Sequence, residues 1–291
     1  MRLGLVTPVV TLVPHAHAPW ERDAGWEDVV RIAEAADRLG FDHLTCAEHV
    51  AIPAEVAETR GSRYWDPLAT LGFLASVTDT VRLATSVLVL GYHHPLEIAK
   101  RYGTLDQVSG GRLVLGVGVG SLEAEFDILG APFAGRGEQA DDALGALRAA
   151  FSSTRPSYDG THYRFDDVVL DPSALQSHVP IWVGGRTARS LRRAVELADG
   201  WCPFGLSADE MASMLARAAD TEAWRRRTSP LELVLQSPRA FDPIGDRSRA
   251  ATMAAGLAEV GATILSVRLV SRSAEHFIDQ MAAMADLVDP M

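Results

Sequence analysis

The chain has 291 residues, 47% of them hydrophobic, enough for a full core in a single domain of α/β-barrel size, residues 1–291, without disulfide or metal staples. Its 38 acidic residues against 27 basic ones give a net charge of -11, a field that repels nucleic-acid phosphates and anionic membranes. No apolar run reaches the ~18 residues of a membrane span, and a start containing Arg2, Gly4 and Pro8 does not read as a secretory signal, so a soluble cytoplasmic protein with no nucleic-acid or membrane partner is expected.

Apolar strand patterns recur in chain order at Leu3 to Thr7, His43 to Ala47, Arg82 to Val89, Leu113 to Val119, Ile181 to Gly184, Gly200 to Pro203, Leu231 to Leu235 and Thr263 to Val267. Helix-spaced Leu, Ala and Val fill the stretches after them: Trp26 to Leu39, Pro67 to Val77, Leu96 to Val108, Ala140 to Phe151, Ala188 to Ala198, Ala208 to Trp224, Ser248 to Val260 and Ala274 to Leu287. Strand and helix alternate throughout, which predicts an α/β fold of the (β/α)8 TIM-barrel type. A doubly wound sheet is the runner-up, but its Gly-x-Gly-x-x-Gly fingerprint is not matched by the Gly-x-Gly-x-Gly of Gly116, Gly118 and Gly120.

Three segments exceed what a minimal βα unit needs: residues 48–66, residues 121–139, and Ser157 to Leu170, which alternates like a hairpin. Loop insertions at the carboxyl face of a barrel are where its chemistry is expected. Two loops share one design, a short strand ending in glycines before a helix. Gly116, Gly118 and Gly120 open the backbone to a flat or phosphorylated ligand, and Gly184 and Gly185 do the same beside Arg186 and Thr187, which supply charge and hydroxyl.

Taken together, several motifs resemble the luciferase-like monooxygenase superfamily, and more narrowly its coenzyme F420-dependent oxidoreductases of actinobacterial type. They are Ala47-Glu48-His49-Val50 with Ile52-Pro53, Asp66-Pro67-Leu68, Ala84-Thr85-Ser86-Val87-Leu88, and Pro95-Leu96 through Lys100 to Thr104-Leu105-Asp106. They continue as Ser109-Gly110-Gly111-Arg112, the glycine strand, Pro132-Phe133 with Arg136-Gly137, Pro180-Ile181-Trp182-Val183-Gly184-Gly185, and Ala198-Asp199-Gly200-Trp201. The resemblance spans nearly the whole chain. It implies a bacterial-luciferase-like barrel, usually a homodimer, that moves a hydride between the deazaflavin F420 and a small organic substrate. An FMN-dependent monooxygenase is the alternative, and a non-catalytic flavin-binding barrel the second.

The resemblance also implies roles. Glu48 and His49 stand beside the ring, the histidine assisting proton transfer. Ser86 and Val87 match a non-prolyl cis peptide behind the ring. Gly118, Val119, Gly120 and Ser121 touch the ring and ribityl chain, while Gly184, Gly185, Arg186 and Thr187 take the phosphate. Ser121 stands where the sugar-phosphate dehydrogenases of this kind carry a glutamate, and Val119 replaces a threonine, so that reaction is not inherited. Glu123 and Glu125 are close in sequence but start a helix.

Aromatic and histidine side chains at loops and strand ends, Tyr64, Trp65, His93 and Trp201, are candidates for a substrate pocket. His93 and His94 look like a metal pair, yet adjacent side chains diverge and no third ligand accompanies them, so no metal site is expected. Cys46 and Cys202 sit in strand patterns as small buried thiols, without redox or metal duty. The plainer readings are that the glycines relieve crowding at strand ends, that His49 is a satisfied loop histidine, that Glu48 caps or pairs, and that Arg186 pairs with a carboxylate.

Overall fold

The structure is a computed structural model, which describes residues 1–288. Its strands are β1 (Arg2–Leu5), β2 (His43–Cys46), β3 (Arg82–Thr85), β4 (Leu88–Val89), β5 (Leu113–Gly118), β6 (Tyr158–Asp159), β7 (Arg164–Phe165), β8 (Ile181–Gly184), β9 (Gly200–Cys202), β10 (Glu232–Leu235) and β11 (Ile264–Val267). Eight of them run parallel and close into a barrel, β1-β2-β3-β5-β8-β9-β10-β11 and back to β1. The helices are α1 (Trp26–Arg38), α2 (Ala57–Arg60), α3 (Pro67–Ala75), α4 (Pro95–Val108), α5 (Glu123–Leu129), α6 (Arg136–Phe151), α7 (Ala188–Leu197), α8 (Ala208–Ala219), α9 (Glu222–Arg225), α10 (Arg247–Val260) and α11 (Ala274–Val288). Asp66, Thr187, Ser207 and Asp246 cap α3, α7, α8 and α10, each side-chain oxygen accepting an otherwise orphaned backbone N–H.

Strands buried on both faces read as continuous apolar runs, and the two faces make two cores. Leu5, Leu44, Leu83, Leu113, Leu115, Ile181, Val183, Leu265 and Val267 pack outward against the helices. Ala84, Val114, Trp182, Cys202, Val234 and Ile264 fill the barrel itself. Towards the amino end the filling turns polar: His43 Nδ1 lies 2.8 Å from Asp42, which also pairs with Arg2 and Arg82, and Trp182 donates its indole N–H to Glu232 at 2.7 Å. This end of the barrel is filled by ion pairs.

The predicted elements appear with three differences. The run Arg82 to Val89 is not one strand: it breaks at a cis Ser86-Val87 bond, the place the resemblance implied, into β3 and β4. The pattern Ala208 to Trp224 is two helices, because Thr221 interrupts it as the cap of α9. The third concerns the predicted hairpin, which forms as the antiparallel pair β6 and β7 but lies along α6, not over the mouth. The Asp142 carboxylate in α6 anchors it, accepting from Tyr158 Oη and from the backbone N–H groups of Thr161, His162 and Tyr163.

Candidate active site

The mouth is built by the loops that leave the carboxyl ends of β2, β3, β5 and β8. Val87, just past the cis bond, projects over the open end of the barrel. An ideal Cβ on either Gly118 or Gly184 would lie 2.6 Å from a Val87 methyl, so these two glycines make room for Val87. The same holds for Gly116, whose Cβ would lie 1.9 Å from the Thr85 carbonyl oxygen, and for Gly120, at φ +76°, whose Cβ would lie 2.5 Å from the Phe126 ring. The spaced glycines therefore relieve crowding within the protein, and above Gly118 and Gly184 the half-buried Val87 forms a small apolar floor at this end of the barrel.

His49 is on the 48–66 segment, which meets this floor where the Glu48 N–H donates to the Val87 carbonyl at 3.3 Å. Its ring packs edge-on against Tyr64, with centroids 4.5 Å apart, and its Nδ1 lies 2.5 Å from Glu125 Oε2. Glu125 comes from the first turn of α5 and its side chain is fully buried. Its other oxygen accepts the N–H groups of Val50 at 2.6 Å and Ala51 at 3.1 Å, and Tyr92 Oη donates to Oε2 at 2.9 Å. Burial alone would raise the Glu125 pKa, but the bonds from His49, Ala51 and Tyr92 and the charge of His49 outweigh it and hold the carboxyl below its ordinary range. An ionised carboxylate accepts from Nδ1–H, so the imidazole presents Nε2, which has no protein partner among the described residues.

Sequence reasoning passed over Glu125 because an acid in a first helical turn reads as complementing the helix dipole. The signal that would have found it is its place between Leu122 and Phe126, both buried: a carboxylate inside an apolar stripe needs partners. Phe126 meets Tyr92 and Phe133 edge-on at 4.7 and 5.3 Å, and Arg136 stacks on Phe133 while its Nε donates to the Gly120 carbonyl at 3.2 Å. This aromatic cluster holds α5, and with it Glu125, against the mouth.

Glu48 bonds a different set. It is buried, with Oε2 accepting the Val89 N–H at 2.7 Å and Oε1 lying 2.6 Å from His93 Nε2, in a recess lined by residues of α3 and α4 such as Leu68 and Arg101. His93 thus belongs with Glu48 and diverges from His94, whose Nδ1 accepts the Leu96 N–H at the start of α4. Among the described residues no cluster of His, Cys, Asp or Glu is arranged to hold a metal ion. Burial would lower the His93 pKa, but the hydrogen bond and charge of Glu48 hold it above its ordinary value. The pair therefore stabilises the fold fully below about pH 6.5 and less as pH rises through the raised value. The stability difference between the wild type and His93→Gln is expected to shrink in urea titrations as pH rises above about 6.5, and a pH-independent difference would refute the pairing.

Of the other predicted positions, Arg186 is exposed just ahead of α7 and has no carboxylate within ion-pair distance among the described residues. Thr187 caps that helix, its Oγ1 accepting the Ser190 N–H at 3.2 Å. Ser121 is exposed, 3.4 Å from an Arg60 guanidinium nitrogen, and Val119 is half-buried. Tyr64 Oη donates to the Arg60 carbonyl, and Trp65 packs half-buried on the core, its carbonyl accepting from Cys46. Trp201, expected to line a pocket, is instead 0% exposed, its indole N–H on Ser190 Oγ beneath the 184–187 loop. It supports that loop from the core, because the pleat of β9 turns residue 201 towards the helices. Burial pushes both cysteine thiols up to about 12, which leaves them inert as nucleophiles.

The family model for luciferase-like monooxygenases matches residues 1–285. The chain belongs to that family. Its members are oxidoreductases and monooxygenases. An uncharacterized protein of Mycobacterium tuberculosis is 29% identical over 269 residues, covering 86% of this chain and 91% of the relative. Among solved structures, an F420-dependent secondary alcohol dehydrogenase in complex with an F420-acetone adduct superposes with a TM-score of 0.78 at 15% identity, covering 99% of both chains. The oxygenating constituent of 3,6-diketocamphane monooxygenase from Pseudomonas putida, in complex with FMN, gives a TM-score of 0.72 at 16% identity, covering 100% of this chain and 98% of its own.

Proposed function

We propose that this luciferase-like barrel is an F420-dependent oxidoreductase that transfers a hydride between the deazaflavin and a small organic substrate at the carboxyl mouth. The observation that carries the reading is His49, fixed through Nδ1 by a buried carboxylate and presenting Nε2 without a protein partner among the described residues. The residues at the mouth suit such a cofactor: Val87 on Gly118 and Gly184 is an apolar support for a flat ring, and Arg186 with the N–H groups opening α7 suits a phosphate. When bound, the cofactor supplies the hydride chemistry. The chain's part is to seat the ring on Val87, hold the phosphate at Gly184 to Thr187, and move at Nε2 of His49 the proton that accompanies the hydride. Glu48 supports the wall behind the site through Val89 and His93. The reading includes a single barrel domain and a homodimer in solution.

Fluorescence-quench titration of the purified protein with F420 and, in parallel, FMN tests this. Preferential F420 binding, weakened at least about tenfold in Arg186→Gln, is the expected result, since one lost charged hydrogen bond is worth about 1.5–3 kcal/mol. Preferential FMN binding moves the chemistry to oxygen-dependent monooxygenation, and binding of neither overturns the catalytic reading.

A further inference from the structure

Among the described residues, three guanidiniums are pulled below the ordinary arginine pKa by burial: Arg112, Arg227 and Arg268. Two are structural. Arg112 bonds the carbonyls of Ala75, Val81 and Ser109, and Arg227 those of Ala194, Val195 and Ala198, tying off loops and helix ends. Each also has an aspartate close enough to favour its charge, Asp37 and Asp79 for Arg112 and Asp199 for Arg227.

Arg268 differs on both counts. Among the described residues no carboxylate comes within ion-pair distance of it, and burial is the only influence on its charge. A single nitrogen, Nη2, meets carbonyls, those of Pro238 at 2.6 Å and Ser237 at 3.4 Å, so Nε and Nη1 keep their N–H groups for another partner. Its place in the fold says where that partner lies. Along and beyond β11, Leu265, Val267 and Leu269 face the outer core, while Ile264 fills the barrel and Ser266 Oγ lies 3.5 Å from His43, deep inside it. By the two-residue period of a strand, residue 268 belongs to the inner row, one step past the carboxyl end of the strand. On the adjacent strand β10, Val234 is in the inner row level with Ile264, which puts half-buried Gln236 level with Ser266, one inner-row step short of Arg268. The strand order places β11 and β2, which leads into His49, on either side of β1.

We propose that Arg268 is the recognition site for a carboxylate on the substrate, across the β1 side of the mouth from His49. This rests on the reading of the mouth as a hydride-transfer site, and it gives that site a substrate class: an organic carboxylic acid whose reacting carbon lies between the Val87 floor and His49. A carboxylate accepts a charge-assisted N–H bond from a guanidinium more strongly than a neutral amide does, and the free Nε or Nη1 can each offer one. One guanidinium beside two carbonyl oxygens matches a single negative charge and disfavours a phosphate dianion. The cofactor phosphate has its own place at Arg186, on the far side of β9 and β10 from Arg268.

The experiment is calorimetric titration of the full-length protein, saturated with whichever of F420 or FMN it binds and otherwise free of both, with benzoate, benzamide and phenyl phosphate. The wild type is expected to bind benzoate at least tenfold more tightly than benzamide or phenyl phosphate. Arg268→Gln is expected to abolish that preference and Arg268→Lys to keep part of it. Equal affinity for benzoate and benzamide in the wild type overturns the proposal without any variant, as does a preference that survives Arg268→Gln. Tighter binding of phenyl phosphate overturns the carboxylate assignment. Benzoate preference in a protein that binds neither cofactor would uphold the anion site while removing the hydride-transfer reading, and cofactor binding without the preference would do the reverse.

Discussion

Gly116→Ala is expected to destabilise the barrel by more than about 3 kcal/mol, at the upper end of what overpacking costs. The added methyl would lie 1.9 Å from the Thr85 carbonyl oxygen and 3.1 Å from its carbon, and both are backbone. No rotamer change relieves that overlap, because β5 is hydrogen-bonded to β3 and β4 on one side and β8 on the other. Gly118→Ala meets only a Val87 methyl, so its smaller penalty should be recovered in a Gly118→Ala, Val87→Ala double variant. Gly72→Ala is the control: that glycine lies in α3 with nothing within 4 Å of the new Cβ, and alanine there should stabilise by about 0.5–1 kcal/mol. Urea unfolding of these variants beside the wild type checks this. A Gly116→Ala protein as stable as the wild type would show that the barrel yields where the geometry says it cannot.

The second large effect belongs to Glu125. Glu125→Ala strips four donors of their acceptor, the N–H groups of Val50 and Ala51, Tyr92 Oη and His49 Nδ1, and is expected to cost about 3 kcal/mol or more. Hydrogen exchange at Val50 and Ala51 should accelerate while exchange in α10, remote from the mouth, changes only with global stability. Glu125→Gln keeps the volume and loses the charge, so it should fold well and reveal the role in catalysis. Turnover is expected to fall about 10²-fold, the scale of general acid-base assistance, with cofactor affinity retained. The pH dependence has a definite sign. Because the folded pKa lies below the ordinary carboxylate value of about 4.3, the stabilisation is present above that value and is lost as pH falls through the depressed one. The wild-type advantage over Glu125→Ala should therefore shrink in acid. Unchanged exchange at Val50 and Ala51 in the alanine variant would count against the network.

The two variants separate two layers of the same mouth. Gly116 and Val87 set the floor, which is a matter of backbone sterics. Glu125 and His49 set the proton geometry, which is electrostatic. Damage to the first should appear in stability, and damage to the second in stability when the carboxylate is truncated and in turnover when only its charge is lost.

The strand and helix pattern was legible from periodicity because apolar residues must repeat every two or every 3.6 positions to reach a core, whatever the partners are. Thr7, Ala47 and Pro203 lie just beyond the ends of their strands, and the break within Arg82 to Val89 was invisible to periodicity, since Ser86 and Val87 have ordinary composition for a strand. His49 was legible through the motif around it. Glu125 was not, because its partners Val50, Ala51 and Tyr92 lie at least 33 residues away in the chain and only α5 packing on the mouth brings them together. Trp201 was misplaced for the opposite reason: composition says that an indole walls pockets or packs cores, and the pleat decides which.

By itself, then, the sequence determined the barrel, the two glycine-ended loops and the family, because these depend on local spacing and on motifs read in order. Only the tertiary structure decided what the glycines accommodate, which acid orients His49, and that Glu48 turns to His93 instead. Those outcomes depend on contacts between loops far apart in the chain, where small differences in distance choose the partner and no periodicity records the choice.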